Sequence, residues 1–285
     1  MIQINNMKDG ENMAEVDLQN LLLDGSKLEK DFYSYEADPQ KIPEFEHNDL
    51  INDWLIEHVR RFNETAGYLL RSLQKVSDYG KLLSEGKRFI VQHGISVDFL
   101  KEHRVACRDA CINIDIYIEV IKSFCRYYFF MDKEATDDGK KWDQAMRQYQ
   151  NIGGWKSIES FLTQCQKLYQ LPDTKFIIKI RNDEVHNESP LELIKYHFEG
   201  NVLQPHPDEY VISNETLHNK ITNTVGELIA TTQALQHVLE TISPYSIYQY
   251  LQPQDGQLKH IIKMSERYKR ERTYFSKHVL INPRQ

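Results

Sequence analysis

Apolar residues recur at intervals of three and four along most of this chain. One such stripe runs from Leu50 to Val76, and a second joins Cys107, Cys111, Ile114, Ile118, Ile121 and Cys125. Further stripes cover residues 155–169 and the stretch from Asn214 to just before Pro244. Three and four are the helix period, so the pattern predicts an all-α protein: an up-and-down bundle of four or five main helices with peripheral helices.

The glycine and serine residues between the stripes predict where helices begin and end. Gly80 and Gly86 weaken the end of the first long helix, and Ser96, shortly after Gly94, is a predicted N-cap for the second. The helix period fails between Leu191 and Ser213. There the segments 194–201 and 209–213 predict a loop or a small β-hairpin.

Charge divides the chain into three parts. Residues 1–47 form a predicted acidic N-terminal extension, since the first 60 residues hold 14 Asp and Glu against 5 Lys and Arg. This extension is either a solvated arm or a segment that wraps the core. Residues 48–245 form the predicted helical core, and residues 246–285 a basic C-terminal segment, with 8 Lys and Arg against 2 Asp and Glu in 257–285.

The basic segment offers a weak candidate for contact with RNA. Its cations at helical spacing are Lys259, Lys263, Arg267 and Arg270. A solvated basic face that pairs with the acidic arm explains the same residues equally well.

Composition narrows the class of protein. The 285 residues carry a net charge of -7, which argues against non-specific coating of nucleic acid but permits a local basic site. The four cysteines follow no zinc-ligand or dense disulfide pattern, and no secretory signal or long uncharged apolar stretch is present. We therefore expect a soluble cytoplasmic protein with reduced, mostly buried cysteines, no cofactor, no metal and no membrane partner.

The most specific chemical pattern is Arg181-Asn182 followed by His186. Pro172 and Asp173 are predicted to start a helix that Ser189 and Pro190 stop, so His186 falls in its last turn. There the negative end of the helix dipole would favour the protonated ring and raise its pKa. Asn182 lies on the same face as His186, whereas Arg181 diverges from His186 by roughly 140°. A site split in this way is completed most easily by a second copy related by a two-fold axis.

The spacing alone is a weak signal, but the added Asn makes it specific. Arg followed by His after four to six residues occurs three times in this chain, beginning at Arg88, Arg181 and Arg272. Only the match at Arg181 has Asn next to the Arg. The pattern Arg-Asn-x-x-x-His is expected roughly 0.03 times by chance in a chain of this composition.

These residues resemble the motif of the HEPN superfamily, which combines an Arg, a polar residue and a His after a gap of four to six residues. The superfamily comprises all-helical domains, and many members are metal-independent endoribonucleases that act as dimers in toxin–antitoxin, phage-defence and RNA-processing systems. The resemblance implies a catalytic site of Arg181 as phosphate contact, Asn182 as polar helper and His186 as acid and base. It also implies RNA as substrate, a homodimer, and an antitoxin or regulatory protein as partner. One subgroup has Tyr two residues after the His, where this chain has Glu188.

Two alternatives remain open from the sequence. The helical domain is a non-catalytic module that binds a nucleotide or a protein, or Arg181 and His186 are structural and are satisfied by carboxylates. Asp183 and Glu184 are themselves candidate acid/base carboxylates, although exposed helix positions explain them better, with Glu184 able to pair with Arg181. The chain has neither H-E-x-x-H nor G-x-S-x-G, so metalloprotease and serine-hydrolase functions have no starting point.

Overall fold

A computed structural model gives the architecture. It describes residues 18–24, 48–92, 95–127, 129, 146–147, 149–186, 196–199, 202–205 and 214–242. Five long helices dominate these residues: α1 (Asn48–Ser84), α2 (Phe99–Tyr127), α3 (Trp155–Gln170), α4 (Pro172–His186) and α5 (Asn214–Thr241). Strands β1 (Phe89–Gln92) and β2 (Ile95–Asp98) form one antiparallel hairpin, and β3 (Tyr196–Glu199) and β4 (Val202–Pro205) form another. The predicted all-α class is confirmed.

Helix α1 follows its apolar stripe and ends at a glycine. The residues Val59, Phe62, Ala66, Leu69, Leu73 and Val76 are all buried. Beyond Ser84 the chain reverses at Gly86, whose φ is 75°. The amide of Gly86 donates to the Leu83 carbonyl, and the amide of Lys87 donates to that of Leu82. This is a Schellman motif, which needs a residue in the left-handed region and therefore favours glycine.

The start of α2 corrects the sequence prediction. Ser96 lies inside β2 and is not the N-cap. Asp98 takes that role, because its Oδ1 accepts a hydrogen bond of 2.9 Å from the amide of Leu100, the second residue of α2. The hairpin before α2 was also missed, although the two residues between Gln92 and Ile95 are His93 and Gly94, a length typical of hairpin loops.

The core of α2 is as predicted. Its stripe of Cys107, Cys111, Ile114, Ile118, Ile121 and Cys125 is fully buried. Cys165 on α3 is buried too, and none of the four cysteines is in a disulfide. Burial raises the pKa of the Cys107 thiol to about 12, so this side chain is a small apolar residue in the fold rather than a nucleophile.

The described residues belong to two compact units. Among the described residues, the first unit comprises 18–21, 65–92, 95–120, 163–186, 196–199, 202–205 and 214–233, and the second comprises 22–24, 48–64, 121–127, 129, 146–147, 149–162 and 234–242. The second unit has an aromatic core, in which Phe124 meets the Phe62 ring edge-on at 5.7 Å and Phe129 packs on Phe161 at 5.4 Å. The Tyr149 hydroxyl donates to the Phe129 carbonyl there.

Contacts within the first unit define the helix directions. Gly80 of α1 faces the ring of His103, while Ser72 accepts a hydrogen bond from Asn113 further along α2. The contact nearer the end of α1, at Gly80, is with His103 near the start of α2, and the earlier Ser72 meets the later Asn113, so α1 and α2 are antiparallel.

The other helices of this unit continue the alternation. The Tyr117 hydroxyl is 2.6 Å from that of Thr232, and His103 lies close enough to His218 for protonation of one ring to disfavour that of the other, so α2 and α5 run parallel. Gln164 of α3 contacts Glu227, and Asp173 at the start of α4 contacts Lys220. The chain that runs through α3 and into α4 is therefore antiparallel to α5, as in an up-and-down bundle.

The second hairpin lies where the helix period fails. Its first strand falls within the predicted segment 194–201. Its partner is Val202–Pro205, because the register pairs Glu199 with Val202 and leaves only Gly200 and Asn201 between them. The predicted second segment, 209–213, is not this strand and lies outside the described residues.

Of the predicted acidic extension, the structure describes only residues 18–24. Leu18, Leu21 and Leu23 are buried there. In the first unit the Leu21 carbonyl accepts a hydrogen bond of 2.7 Å from the Tyr117 hydroxyl, and in the second unit Leu23 exchanges two hydrogen bonds of 2.8 Å with the Asn63 side chain. In each unit these few residues therefore pack against a helix, while the rest of the predicted extension lies outside the described residues.

None of the helices within the described ranges is long and apolar enough to cross a membrane.

Candidate functional site

Helix α4 carries the predicted motif, and its first turn is anchored by a carboxylate. Pro172 is the first helical residue, as expected. Asp173 is inside the helix rather than its cap. Its two oxygens accept hydrogen bonds of 2.8 Å from Lys220 Nζ and from Asn223 Nδ2 of α5. The hydrogen bond from Lys220 is the main cause of the lowered pKa of Asp173. The charged side chain thus fastens α4 to α5.

The rest of α4 divides cleanly into two faces. Thr174, Ile177 and Ile180 are buried, at spacings that put them on one side of the helix. Lys175, Lys179 and Asn182 are exposed on the opposite side. The helix ends at His186, two residues before the end at residue 188 that Ser189 and Pro190 predict.

Arg181 lies toward the buried side of α4, roughly 140° around the helix from position 186, and it makes two polar contacts. Its Nε is 3.1 Å from Asp115 Oδ2 on α2, with the Arg side chain 30% exposed and the Asp side chain 12% exposed. Its Nη1 donates a hydrogen bond of 2.9 Å to Asn182 Oδ1. The Nε–H is not aimed well enough at Asp115 to count as a hydrogen bond, so charge attraction and proximity define this pair.

This arrangement orients the guanidinium without using all of it. Arginine has five N–H donors in a rigid fork. The Nε side is turned toward Asp115, and one Nη1 hydrogen is given to Asn182. The outer edge, formed by Nη2 and the second Nη1 hydrogen, keeps the parallel donors that a phosphate accepts bidentately. A half-exposed Arg held in this way is a suitable anion contact.

The other motif residues are placed only partly. Asn182 is exposed and touches Arg181, so those two predicted residues are together. His186 is the last residue of α4, but its side chain and that of Glu184 lie outside the part of the chain that the structure describes. Asp183 is half-buried.

Asp115 is the residue that sequence reasoning missed. It follows Ile114 on α2, directly beside the apolar stripe, and only 8% of it is exposed. A carboxylate at such a position needs a compensating cation, and that need was the available signal. The sequence does not say which cation supplies it, because Arg181 comes from a different helix.

A second polar cluster lies inside the same unit, away from the motif's contacts. His103 is 3% exposed, and either ring nitrogen is within 3.9 Å of the Cys107 sulfur. Burial first, and then the charges of His218 and Arg104, lower the pKa of His103 to about 4. Burial also lowers the pKa of His218, whose Nε2 is buried without a hydrogen bond to any residue that the structure describes. Burial thus favours the neutral form of both rings.

Metal ligation and RNA binding by the basic segment are two further candidate properties. Among the described side chains, no group of three or more His, Cys, Asp or Glu is arranged to hold a metal ion. The weak RNA-binding candidates Lys259, Lys263, Arg267 and Arg270 lie outside the described residues.

The fold and site together define an all-helical bundle with a half-exposed Arg, Asn pair near the end of one helix. No family model, curated protein or solved structure matches this chain.

Proposed function

We propose that this protein is a metal-independent endoribonuclease of the kind found in toxin, phage-defence or RNA-processing systems, with Arg181, Asn182 and His186 as its catalytic residues. The observation that carries the proposal is the half-exposed Arg181 guanidinium, which contacts Asp115 and Asn182 and has no partner for Nη2 among the described residues. The HEPN-like motif and the all-helical fold support the same function.

The reaction is an internal transfer at the scissile phosphate. The ribose 2′-oxygen attacks phosphorus, the bond from phosphorus to the 5′-oxygen breaks, and the products are a 2′,3′-cyclic phosphate and a free 5′-hydroxyl. His186 takes the 2′-hydroxyl proton or returns one to the leaving 5′-oxygen, a role worth roughly 10²- to 10⁴-fold in rate. Arg181 stabilises the charge that develops on the phosphate oxygens. Asn182 keeps the guanidinium in place.

The proposed active form is a homodimer. Arg181 and His186 point in directions that differ by roughly 140° around α4, so one helix does not bring both to one phosphate directly. Two copies of α4 about a two-fold axis would supply Arg181 from one and His186 from the other. Mixing His186→Ala protein with Arg181→Ala protein should then restore part of the cleavage that each variant lacks.

The direct test compares variants on single-stranded RNA. His186→Ala and Arg181→Lys should each lower cleavage by at least a hundredfold, since an ammonium does not reproduce the planar fork of a guanidinium. His237→Ala, at an exposed position of α5, is the matched control and should cleave normally. Circular dichroism melts establish that all three variants remain folded. Cyclic-phosphate ends are detected by mass spectrometry.

Two outcomes contradict this mechanism. Wild-type protein that requires a divalent metal, and so stops cutting in EDTA, does not use the proposed chemistry. Equal cleavage of a strand with 2′-deoxyribose at the cut site would exclude the 2′-oxygen as nucleophile.

The second candidate function is a non-catalytic helical module that binds a nucleotide or a protein. The ion pair between Arg181 and Asp115 favours it, because a paired Arg is less available to phosphate. Purified wild type that binds RNA or a nucleotide tightly and cuts no RNA would identify this function.

A further inference from the structure

The exposed face of α4 carries a line of donors that leads to the motif. Lys175, Lys179 and Asn182 are exposed, and their spacings of four and three residues place them in one row along the helix. Position 186 continues the same row by its spacing. Of the acidic residues of the helix that the structure describes in full, Asp173 is engaged by α5, and Asp183, four residues after Lys179, is half-buried at the edge of the row.

The two lysines on this row have no carboxylate partner among the described residues, a property that they share with Lys75 of α1 and Lys101 of α2, whereas other lysines are paired. Lys87 is paired with Glu85, Lys167 with Glu227, and Lys220 with Asp173. No such contact is made by Lys175 or Lys179 with any described residue. Asp173, two residues before Lys175, is already engaged by Lys220 and Asn223. The charge of the row is therefore available to an external anion.

We propose that Lys175 and Lys179 bind successive backbone phosphates of an extended single-stranded RNA, on one side of the scissile phosphate, which lies at the end of the row where Asn182 and position 186 are. This inference rests on the proposed ribonuclease function and specifies its substrate. Four helical residues span about 6 Å along the axis, comparable to one nucleotide step of an extended strand. Lysines give base-independent contacts to phosphate, so the track selects for strand length rather than sequence.

A strand on this track runs toward the start of α4. Lys175 is roughly 10 Å along the helix axis from Asn182. An RNA must then extend at least two nucleotides beyond the cut on that side to reach both lysines. Oligonucleotides shorter than this should be bound weakly and cut slowly.

The test uses the full-length double variant Lys175→Gln with Lys179→Gln. Lys75→Gln with Lys101→Gln is the matched control, because it removes two exposed lysines from α1 and α2. The probe is a fluorescein-labelled, uniformly 2′-O-methylated single-stranded RNA, which cannot react through its 2′-oxygen. Fluorescence anisotropy gives its affinity at several salt concentrations.

The double variant should bind this probe roughly tenfold more weakly at low salt, and the slope of log affinity against log salt should fall by about 1.4, or about 0.7 for each lost phosphate contact to a single strand. The control variant should match wild type in both. Exposed substitutions of this kind change stability by about 0.5 kcal/mol or less, so both variants should melt with the wild type.

Cleavage separates this inference from the proposed function. If the enzyme cuts RNA but the double variant binds the probe and discriminates long from short substrates as wild type does, the track is refuted and the nuclease stands. If wild type cuts nothing yet binds the probe through these two lysines, the track stands and the nuclease is refuted. Wild type that does not bind the probe at all refutes the track.

Discussion

At the scale of single residues, the informative feature is that the Arg181 guanidinium contacts two side chains at once. Asp115 lies at one side of the guanidinium and Asn182 accepts from another. A long flexible side chain loses rotamer entropy when it meets a phosphate. Contacts made before the substrate arrives reduce that loss, so we interpret Asp115 as a positioning residue that acts through Arg181.

Replacing Asp115 by Asn tests this interpretation. The amide keeps the shape of the carboxylate but removes the charge that attracts Arg181. We expect cleavage to fall about ten- to hundredfold, since small displacements of a catalytic group have effects of this size. The free energy of unfolding should fall by about 1–2 kcal/mol, because the pair is only partly exposed. Single-turnover cleavage and urea unfolding measure the two effects.

Asp109→Asn is the control for this variant. Asp109 also lies on α2, is 40% exposed and is 3.5 Å from Arg108, so its loss should change neither quantity measurably. If Asp115→Asn instead binds RNA more tightly and cuts it faster, Asp115 restrains Arg181 rather than positioning it.

At the scale of elements, local backbone chemistry decides where helices begin and end. The reversal after α1 depends on Gly86 at a positive φ, and the start of α2 depends on Asp98, which caps a helix that follows a strand without a linker. The periodic stripes define the helices, but these end residues determine their lengths.

Asp98→Ala should destabilise the protein by about 1 kcal/mol, because it leaves the Leu100 amide without its capping acceptor. Ser96→Ala is the informative comparison, since Ser96 is the cap that sequence reasoning favours. It should cost well under half as much. Chemical unfolding of both variants gives the two free energies, and a larger loss from the Ser96 substitution would contradict the assignment of the cap.

At the scale of the whole molecule, the interior contains groups that resist protonation. In the first unit, His103 is surrounded by Cys107 and Arg104 on its own helix, by Gly80 of α1 and by His218 of α5. None of these groups stabilises an imidazolium, and burial disfavours it further. Folding therefore competes with protonation of this ring.

Lowering the pH should thus reduce global stability. The pKa of His103 is about 4 in the folded protein against 6.5 for the ordinary side chain, so the unfolded chain binds the additional proton. This group costs nothing above pH 6.5, and its penalty grows as the pH falls toward 4, reaching at most about 3 kcal/mol. Urea unfolding between pH 4.5 and 7.5 measures this dependence.

His103→Gln should flatten the pH dependence, even if the variant is less stable at every pH. His237→Gln, at an exposed position of α5, should leave the dependence unchanged. An unaltered slope in the His103 variant would assign the acid sensitivity to other groups.

Sequence alone determined the elements whose formation depends on neighbours along the chain. The burial of Ile114, Ile118 and Cys125 follows from their period, and α4 ends within two residues of the end that Ser189 and Pro190 predict. The spacing of Asn182 and position 186 on one side of α4 is likewise a property of the helix itself. Periodicity records which face of an element is buried, because that face repeats with the backbone geometry.

Tertiary structure decided which elements meet. Whether Asp115 would pair with Arg181, and Asp173 with Lys220, depends on how α2, α4 and α5 pack, and no local pattern encodes the partner of a buried charge. The hairpin of β1 and β2 was missed for a related reason. Phe89, Ile90 and Val91 are exposed, so this apolar run does not mark a buried face. The run becomes a strand because it pairs with β2, and the apolar pattern alone does not predict that pairing.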